Sequence, residues 1–321
     1  MHIPDGFLDT KTLAATAVFA SAGVAVALAR SRNTLPPSRV PLLGLSAAFI
    51  FAAQMVNFPV LGGTSGHLVG SVLAAVLLGP SGAVVALTAV LLVQAFLFAD
   101  GGILALGANT LNMAVVAPLS GYAVYWLLRK VLHGGKGQLF AAGIASWCSV
   151  MFAAILCSGE LSWSGTVAWR VVFPAMAGIH AVIGVGEALI TMLVIAAIAR
   201  VKPELIERGK EPEIARSALF LYGILLVGVV TLFIAPFAST WPDGLERVAS
   251  MLGFSSRALA QPALPSLIAD YQIPGIESTL LATGIAGLLG AAAVAGVVFF
   301  FASLIVPRQR AANRHIHSRG E

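Results

Sequence analysis

The sequence predicts an all-α polytopic membrane protein: a seven-span bundle followed by two further spans, about nine transmembrane helices in all. Three observations predict it. Hydrophobic residues make up 58% of the 321 and charged residues only 10%, where a soluble domain carries about 25% charged residues. Nine apolar runs approach the roughly 20 residues that a helix needs to cross a hydrocarbon core. Lys and Arg, finally, concentrate in one of the two alternating sets of connections along the chain.

The runs fall at residues 13–29, 41–56, 68–78, 83–98, 108–128, 139–157, 171–199, 218–237 and 280–306. With the N-terminus outside, all but four of the 19 Lys and Arg sit in cytoplasmic connections or the C-terminal tail. The exceptions are Lys11, Arg170, Arg247 and Arg257. That asymmetry sets the expected orientation in the cytoplasmic (inner) membrane, N-terminus outside and C-terminus inside. It also explains the net charge of +5 without a nucleic-acid partner. The third run is too short to span: eleven residues at about 1.5 Å each cover roughly half of a 30 Å core. Ahead of it lies Pro59-Val60-Leu61-Gly62-Gly63-Thr64-Ser65-Gly66-His67, too glycine-rich for a helix. Irregular backbone at membrane depth must be buried in protein or line a cavity, so this loop is expected to dip inward and carry His67 to the outer mouth of the bundle. Cys148 and Cys157 match no metal or disulfide spacing and read as small apolar residues.

The first residues carry the sharpest chemistry. The chain opens Met1-His2-Ile3-Pro4-Asp5-Gly6-Phe7-Leu8. No basic segment precedes the first apolar run and no small-residue cleavage site is evident, so no signal peptide is expected. The large His2 side chain favours retention of Met1. A free amine ahead of His2 offers one metal ion three nitrogens: the Met1 amine, the His2 amide and His2 Nδ1. They close a five- and a six-membered chelate ring in one plane, and a fourth donor completes a set suited to Ni(II) or Cu(II). His67, beside Gly66 on the same side, is that fourth nitrogen. The plain alternatives are a frayed His2 and a His67 that caps the next helix. Asp5, Asn109 and Asn112 are candidates to hydrogen-bond the ligands or line the pocket. Asp5 could equally be a solvated turn acid, and the two asparagines could bond between helices. Asp100, beside two glycines, reads as a helix-end turn, and His180 with Glu187, seven apart, as a buried His–Glu contact.

Several function classes are excluded. Gly134-Gly135-Lys136-Gly137 is not a phosphate loop, no other nucleotide motif occurs, and no His-Glu-x-x-His supplies an intramembrane metalloprotease. No catalytic residues or resident cofactor are expected, and the chain is read as a transport component, not an enzyme. His315 and His317 lie in a basic tail and read as a solvated end.

The opening hexapeptide, the glycine-rich approach to His67 and the seven spans up to about residue 199 resemble the nickel/cobalt substrate-capture (S) components of energy-coupling factor transporters, the CbiM/NikM family. In that family the N-terminal amine, the second residue's amide and imidazole and a loop histidine hold the ion; the resemblance carries these roles to Met1, His2 and His67. The resemblance covers residues 1–205. After a charged, proline-containing linker, residues 206–321 resemble a NikN-type auxiliary component, whose signature falls on Pro242-Asp243-Gly244-Leu245-Glu246. What the resemblance implies is capture of Ni(II) outside, then docking on a transmembrane coupling subunit (EcfT-like) and a pair of ABC-type ATPases. Co(II) uptake by the same mechanism and a self-sufficient secondary metal transporter are the alternatives.

Overall fold

The computed structural model of the protein describes residues 1–206 and 216–305. Helix α1 (Thr10–Thr34) starts at Asp9, whose carboxylate accepts the Thr12 N–H at 3.1 Å, satisfying one of the donors left free at a helix start. After a 3-10 turn at Pro37–Arg39, α2 (Val40–Gln54) runs 15 residues with Pro41 in its first turn, where the missing N–H costs nothing. The glycine-rich stretch then forms a hairpin of two antiparallel strands, β1 (Phe58–Val60) and β2 (Thr64–Gly66). Gly62 and Gly63 turn it at φ +87° and +70°, a conformation that disfavours any residue with a Cβ. Its tip, Leu61, is exposed, while Thr64, Ser65 and Gly66 are buried. The irregular loop predicted here is therefore a small sheet with one strand inside.

The third and fourth predicted runs fall in one element, α3 (Ser71–Val93), continued by a π turn at Gln94–Phe98. Gly79 breaks it at φ 80°, ψ 163°, and Pro80 follows. The Gln54 side chain donates to the Val69 carbonyl at 2.9 Å and accepts from the Gln94 amide at 2.8 Å. Both ends of α3 are thus at the height of Gln54, and the chain reverses at Gly79. The descending limb, residues 71–78, is about 12 Å long and cannot span; the returning limb can. The short third run predicted from sequence is this descending limb.

Helix α4 (Leu106–Asn109), a π turn at Thr110–Val116 and α5 (Ala117–Arg129) make one continuous rod. Helices α6 (Gly134–Trp163) and α7 (Trp169–Val201) pack against each other along their length. Helix α8 (Arg216–Val229) with its π turn Val230–Ile234, the short α9 (Gly244–Leu252) and α10 (Thr279–Ile305) complete the fold. Among the described residues seven helices are long and apolar enough to cross a membrane; α2 is a shorter eighth. With α3 read as two limbs these are the nine predicted runs, and the chain is a multi-pass membrane protein. The linker residues 207–215 and the tail histidines His315 and His317 lie outside the described residues.

The main apolar core centres on α3, packed between α2, α5 and α10. At Gly290 a Cβ would lie 2.1 Å from Phe51, so only glycine lets α10 close on α2. A second apolar cluster joins Met1, Ile3, Phe7 and Leu8 to α6, α7 and α9. Ile3 is 0% exposed. Each such side chain contributes about 1.5–3 kcal/mol when fully buried, and this draws the terminus into the protein.

Candidate metal centre

The terminus is fixed by backbone as much as by side chains. Asn109 reads Ile3 from both sides, accepting its N–H at 2.7 Å and donating to its carbonyl at 3.0 Å. Gly102 N–H donates to the same carbonyl at 2.9 Å. The Asp5 carboxylate accepts the N–H groups of Leu104 and Ala105 at 2.9 and 3.2 Å. A Cβ on Gly102 would lie 2.0 Å from Asp5 Oδ1, so this loop and the terminus approach as closely as backbone allows.

Met1 and His2 meet His67 at the point to which these bonds lead. His67 Nδ1–H donates to the Leu68 carbonyl at 3.2 Å, which leaves the lone pair on Nε2. The Met1 amine donates to that Nε2 at 2.7 Å. The His2 ring stacks on His67 with centroids 5.2 Å apart. Two cis nitrogens of a square-planar ion, each bound at about 2.0 Å, stand roughly 2.8 Å apart. The amine and His67 Nε2 already have that separation, with a proton where an ion would go. Among the described residues no group of three His, Cys, Asp or Glu side chains converges as a metal cluster, so a centre here needs the terminal amine.

Carboxylates surround these nitrogens. Asp243 Oδ2 lies 3.0 Å from the Met1 amine, while its Oδ1 accepts the Glu246 N–H and Glu246 accepts the Asp243 N–H. This capping box starts α9, so one carboxylate caps a helix and neutralises the terminus. Asp100 Oδ1 is 3.1 Å from His2 Nδ1, and the Tyr271 hydroxyl donates to Asp100 Oδ2 at 2.6 Å. His2 Nε2–H donates to Gln94 Oε1 at 3.2 Å. The turn carrying Asp243 is pinned to β2: the Ser65 N–H donates to the Pro242 carbonyl at 2.8 Å, and the Ser65 hydroxyl to that of Trp241 at 2.7 Å.

Burial pushes His67 down to about 3, helped by the Met1 ammonium and His2. Burial also lowers His2, against the opposing pull of Asp100. Burial alone would raise Asp100, but His2 and the Tyr271 hydroxyl hold it below its ordinary value. The same holds for Asp243, where the Met1 ammonium and the Glu246 N–H outweigh burial. Near neutral pH His67 is therefore uncharged and both carboxylates ionised, which suits a nitrogen donor facing a cation.

Met1, His2 and His67, the three predicted ligands, are brought together. Asp5 and Asn109 hold the terminal backbone and its neighbouring loop. The π turn carries Asn112 away to Glu160, at 2.7 Å. The expected His180–Glu187 contact does not form: Glu187 accepts the N–H groups of Val69 and Gly70 at 2.6 and 2.9 Å, and His180 bonds the Met176 carbonyl of its own helix. Asp100 is no mere turn residue. Sequence reasoning missed its role and those of Gln94 and Tyr271; the only local signal was a carboxylate and an amide close to the end of an apolar run.

A comparison with protein families matches residues 2–205 to CbiM, the cobalt uptake substrate-specific transmembrane region, and residues 217–307 to the PDGLE domain. A protein of Archaeoglobus fulgidus assigned as a fused nickel transport protein NikMN is 37% identical over 311 residues, covering 93% of this chain and 97% of its own. The fused nickel transport protein NikMN of Rhodobacter capsulatus is 34% identical, covering 97% of this chain and 100% of its own. A crystal structure of a transition metal transporter superposes with a TM-score of 0.58 at 34% identity, covering 64% of this chain and 95% of its own.

Proposed function

The chain belongs to the CbiM family of cobalt uptake transmembrane regions, and from that premise we propose that it captures Ni(II) and passes it across the cytoplasmic membrane. The ligands are the Met1 amine, the His2 amide, His2 Nδ1 and His67 Nε2, in one plane. The observation that carries this reading is the 2.7 Å separation of the amine and His67 Nε2, the cis edge of such a set. The ion replaces the shared proton and the proton of the His2 amide, both released to water, and the His2 ring turns its Nδ1 from Asp100 toward the metal. The ionised Asp100 and Asp243 then offset the charge of the cation.

Residues 1–205 form the capture component in this reading. Residues 206–321 form the auxiliary module whose Asp243 steadies the terminus. The N-terminus faces outward, where the ion arrives. Transport is driven by an EcfT-like coupling subunit and ABC-type ATPases, since the chain carries no nucleotide motif. Co(II) is the second cargo to test, because the matched family is described by cobalt uptake.

One extra residue ahead of Met1 tests the ligand set. It turns the amine into an amide. Calorimetry on the native-start protein is expected to give one Ni(II) per chain, and on the extended protein none, with an unaltered elution profile in detergent. Stoichiometric binding by the extended protein overturns the proposal.

A further inference from the structure

His180 stands on α7, eleven residues or about 16 Å in from the start of that helix at Trp169. It is 2% exposed. Its Nδ1–H donates to the Met176 carbonyl at 2.9 Å, and a carbonyl can only accept. Its Nε2 is buried and has no hydrogen-bond partner among the described residues. An uncompensated buried imidazolium is disfavoured, so Nε2 carries a bare lone pair. His180 lines a small cavity of about 10 Å³, whose walls also include Met1, Ser65, His67, Asp243 and Gly244. A Cβ on Gly244 would lie 2.9 Å from His180 Nε2; glycine alone lets the turn after Asp243 seat over the ring and keep the space open.

The cavity's position is informative. His2 lines a larger outer vestibule of about 590 Å³ together with Asp100, Asp243 and Glu246, and neither His67 nor His180 reaches it. Met1 and His67 line the small cavity, and His2 does not. The amine–His67 pair therefore separates the vestibule from the cavity. A space of this size holds one water or one bare ion and little else. Its walls are mostly apolar, and the residues that line it include Met1, His67, His180 and Asp243, whose amine and imidazoles are donors for a divalent transition metal.

We propose that His180 Nε2 is an inner metal ligand, and that His67, His180 and the Met1 amine form a second seat which takes the ion as it leaves the chelate of His2. The proposal rests on the capture reading above and adds a ligand to it. His67 is shared by both seats and pivots the ion from one to the other, His2 lining the vestibule and His180 the small cavity. The inner seat holds the cation after the vestibule side has let go, so the ion is never without nitrogen donors during the transfer.

Four native-start proteins test this: wild type, His2→Ala, His180→Gln and the double variant, with Ni(II) calorimetry and with pulsed electron paramagnetic resonance on Cu(II)-loaded samples to count bound imidazoles. His2→Ala is expected to keep one weak site, with two imidazoles coordinated. Adding His180→Gln is expected to weaken that site by more than the roughly 10–100-fold that loss of an outer partner costs and to leave one imidazole. Size-exclusion profile and thermal midpoint check the fold of each variant. His2→Ala with no detectable site, or with one imidazole only, overturns the proposal, as does a double variant that binds like His2→Ala; the cavity then holds a water. A His2→Ala protein as tight as wild type overturns the capture reading itself, a distinct result.

Discussion

The two parts of the chain bring different chemistry to the same point. Residues 1–206 supply nitrogens: the Met1 amine, His2 and His67. Residues 216–305 supply oxygens: Asp243 on the amine and the Tyr271 hydroxyl, which reaches His2 through Asp100. In the first part the donors are buried and held by backbone, with Asn109, Gly102 and Asp5 leaving the terminus little freedom. In the second they stand on a helix cap and a loop that rest on that frame. A rigid donor set with one of its two counter-charges, Asp243, borrowed from a separate segment can be assembled before the ion arrives, and that charge can be adjusted without disturbing the nitrogens.

This contrast can be broken from either side. Changing the nitrogen side should cost most. His67→Ala removes a donor, and Ni(II) affinity by calorimetry should fall by more than the roughly 10–100-fold that loss of an outer partner costs. Gly102→Ala should do nearly as much without touching a ligand, since its Cβ would lie 2.4 Å from the Asp5 N atom and unseat the terminus; helical circular dichroism should be unchanged. On the oxygen side, Asp243→Asn keeps an acceptor for the Glu246 N–H and loses the charge beside the amine. A fall of roughly tenfold in affinity is expected.

Acid should loosen the docked terminus in two stages. His2 and His67 lie below their ordinary value in the folded protein, so the unfolded chain binds more protons once pH drops below about 6.5. Their contribution to stability is complete above that pH and declines beneath it, down to about 3 for His67. Asp100 and Asp243 are likewise depressed, and their share is lost only below about 4. Protection of the Ile3 N–H from hydrogen exchange in the metal-free protein should therefore start to fall below about pH 6.5, before Asp100 and Asp243 protonate. Smallest of all is Tyr271→Phe. It deletes one hydrogen bond, worth about 1.5–3 kcal/mol to a charged acceptor at most, two links from the metal. Nickel affinity should move by less than about tenfold, and a loss as deep as that of His67→Ala would show the second part to be more than a supplier of charge.

Much of the fold was legible because hydropathy is local. Among the described residues each of the nine runs lies largely on helix, even the short descending limb of α3, whose glycine-rich approach and deficient length marked it. The proposed ligands could be picked out for a similar reason: a chelate formed by adjacent residues needs no tertiary knowledge, and Gly66 beside His67 pointed to a close approach. The partners were not. Asp100 and Tyr271 are 171 residues apart in sequence, and no period or motif joins them. Asn112 and Asn109, three apart, were expected to act together, but the π turn changes the helical phase between them and sends them to different partners. The hairpin β1–β2 escaped notice because its register depends on two glycines at positive φ within a stretch that had no alternating pattern to read.

The central claim is a flat set of four nitrogens around the ion, one of them the chain's own amine. X-ray absorption at the nickel edge of the loaded, native-start protein addresses it directly. The account predicts four nitrogen neighbours with the pre-edge signature of a square-planar centre. A six-coordinate spectrum dominated by oxygen would contradict it.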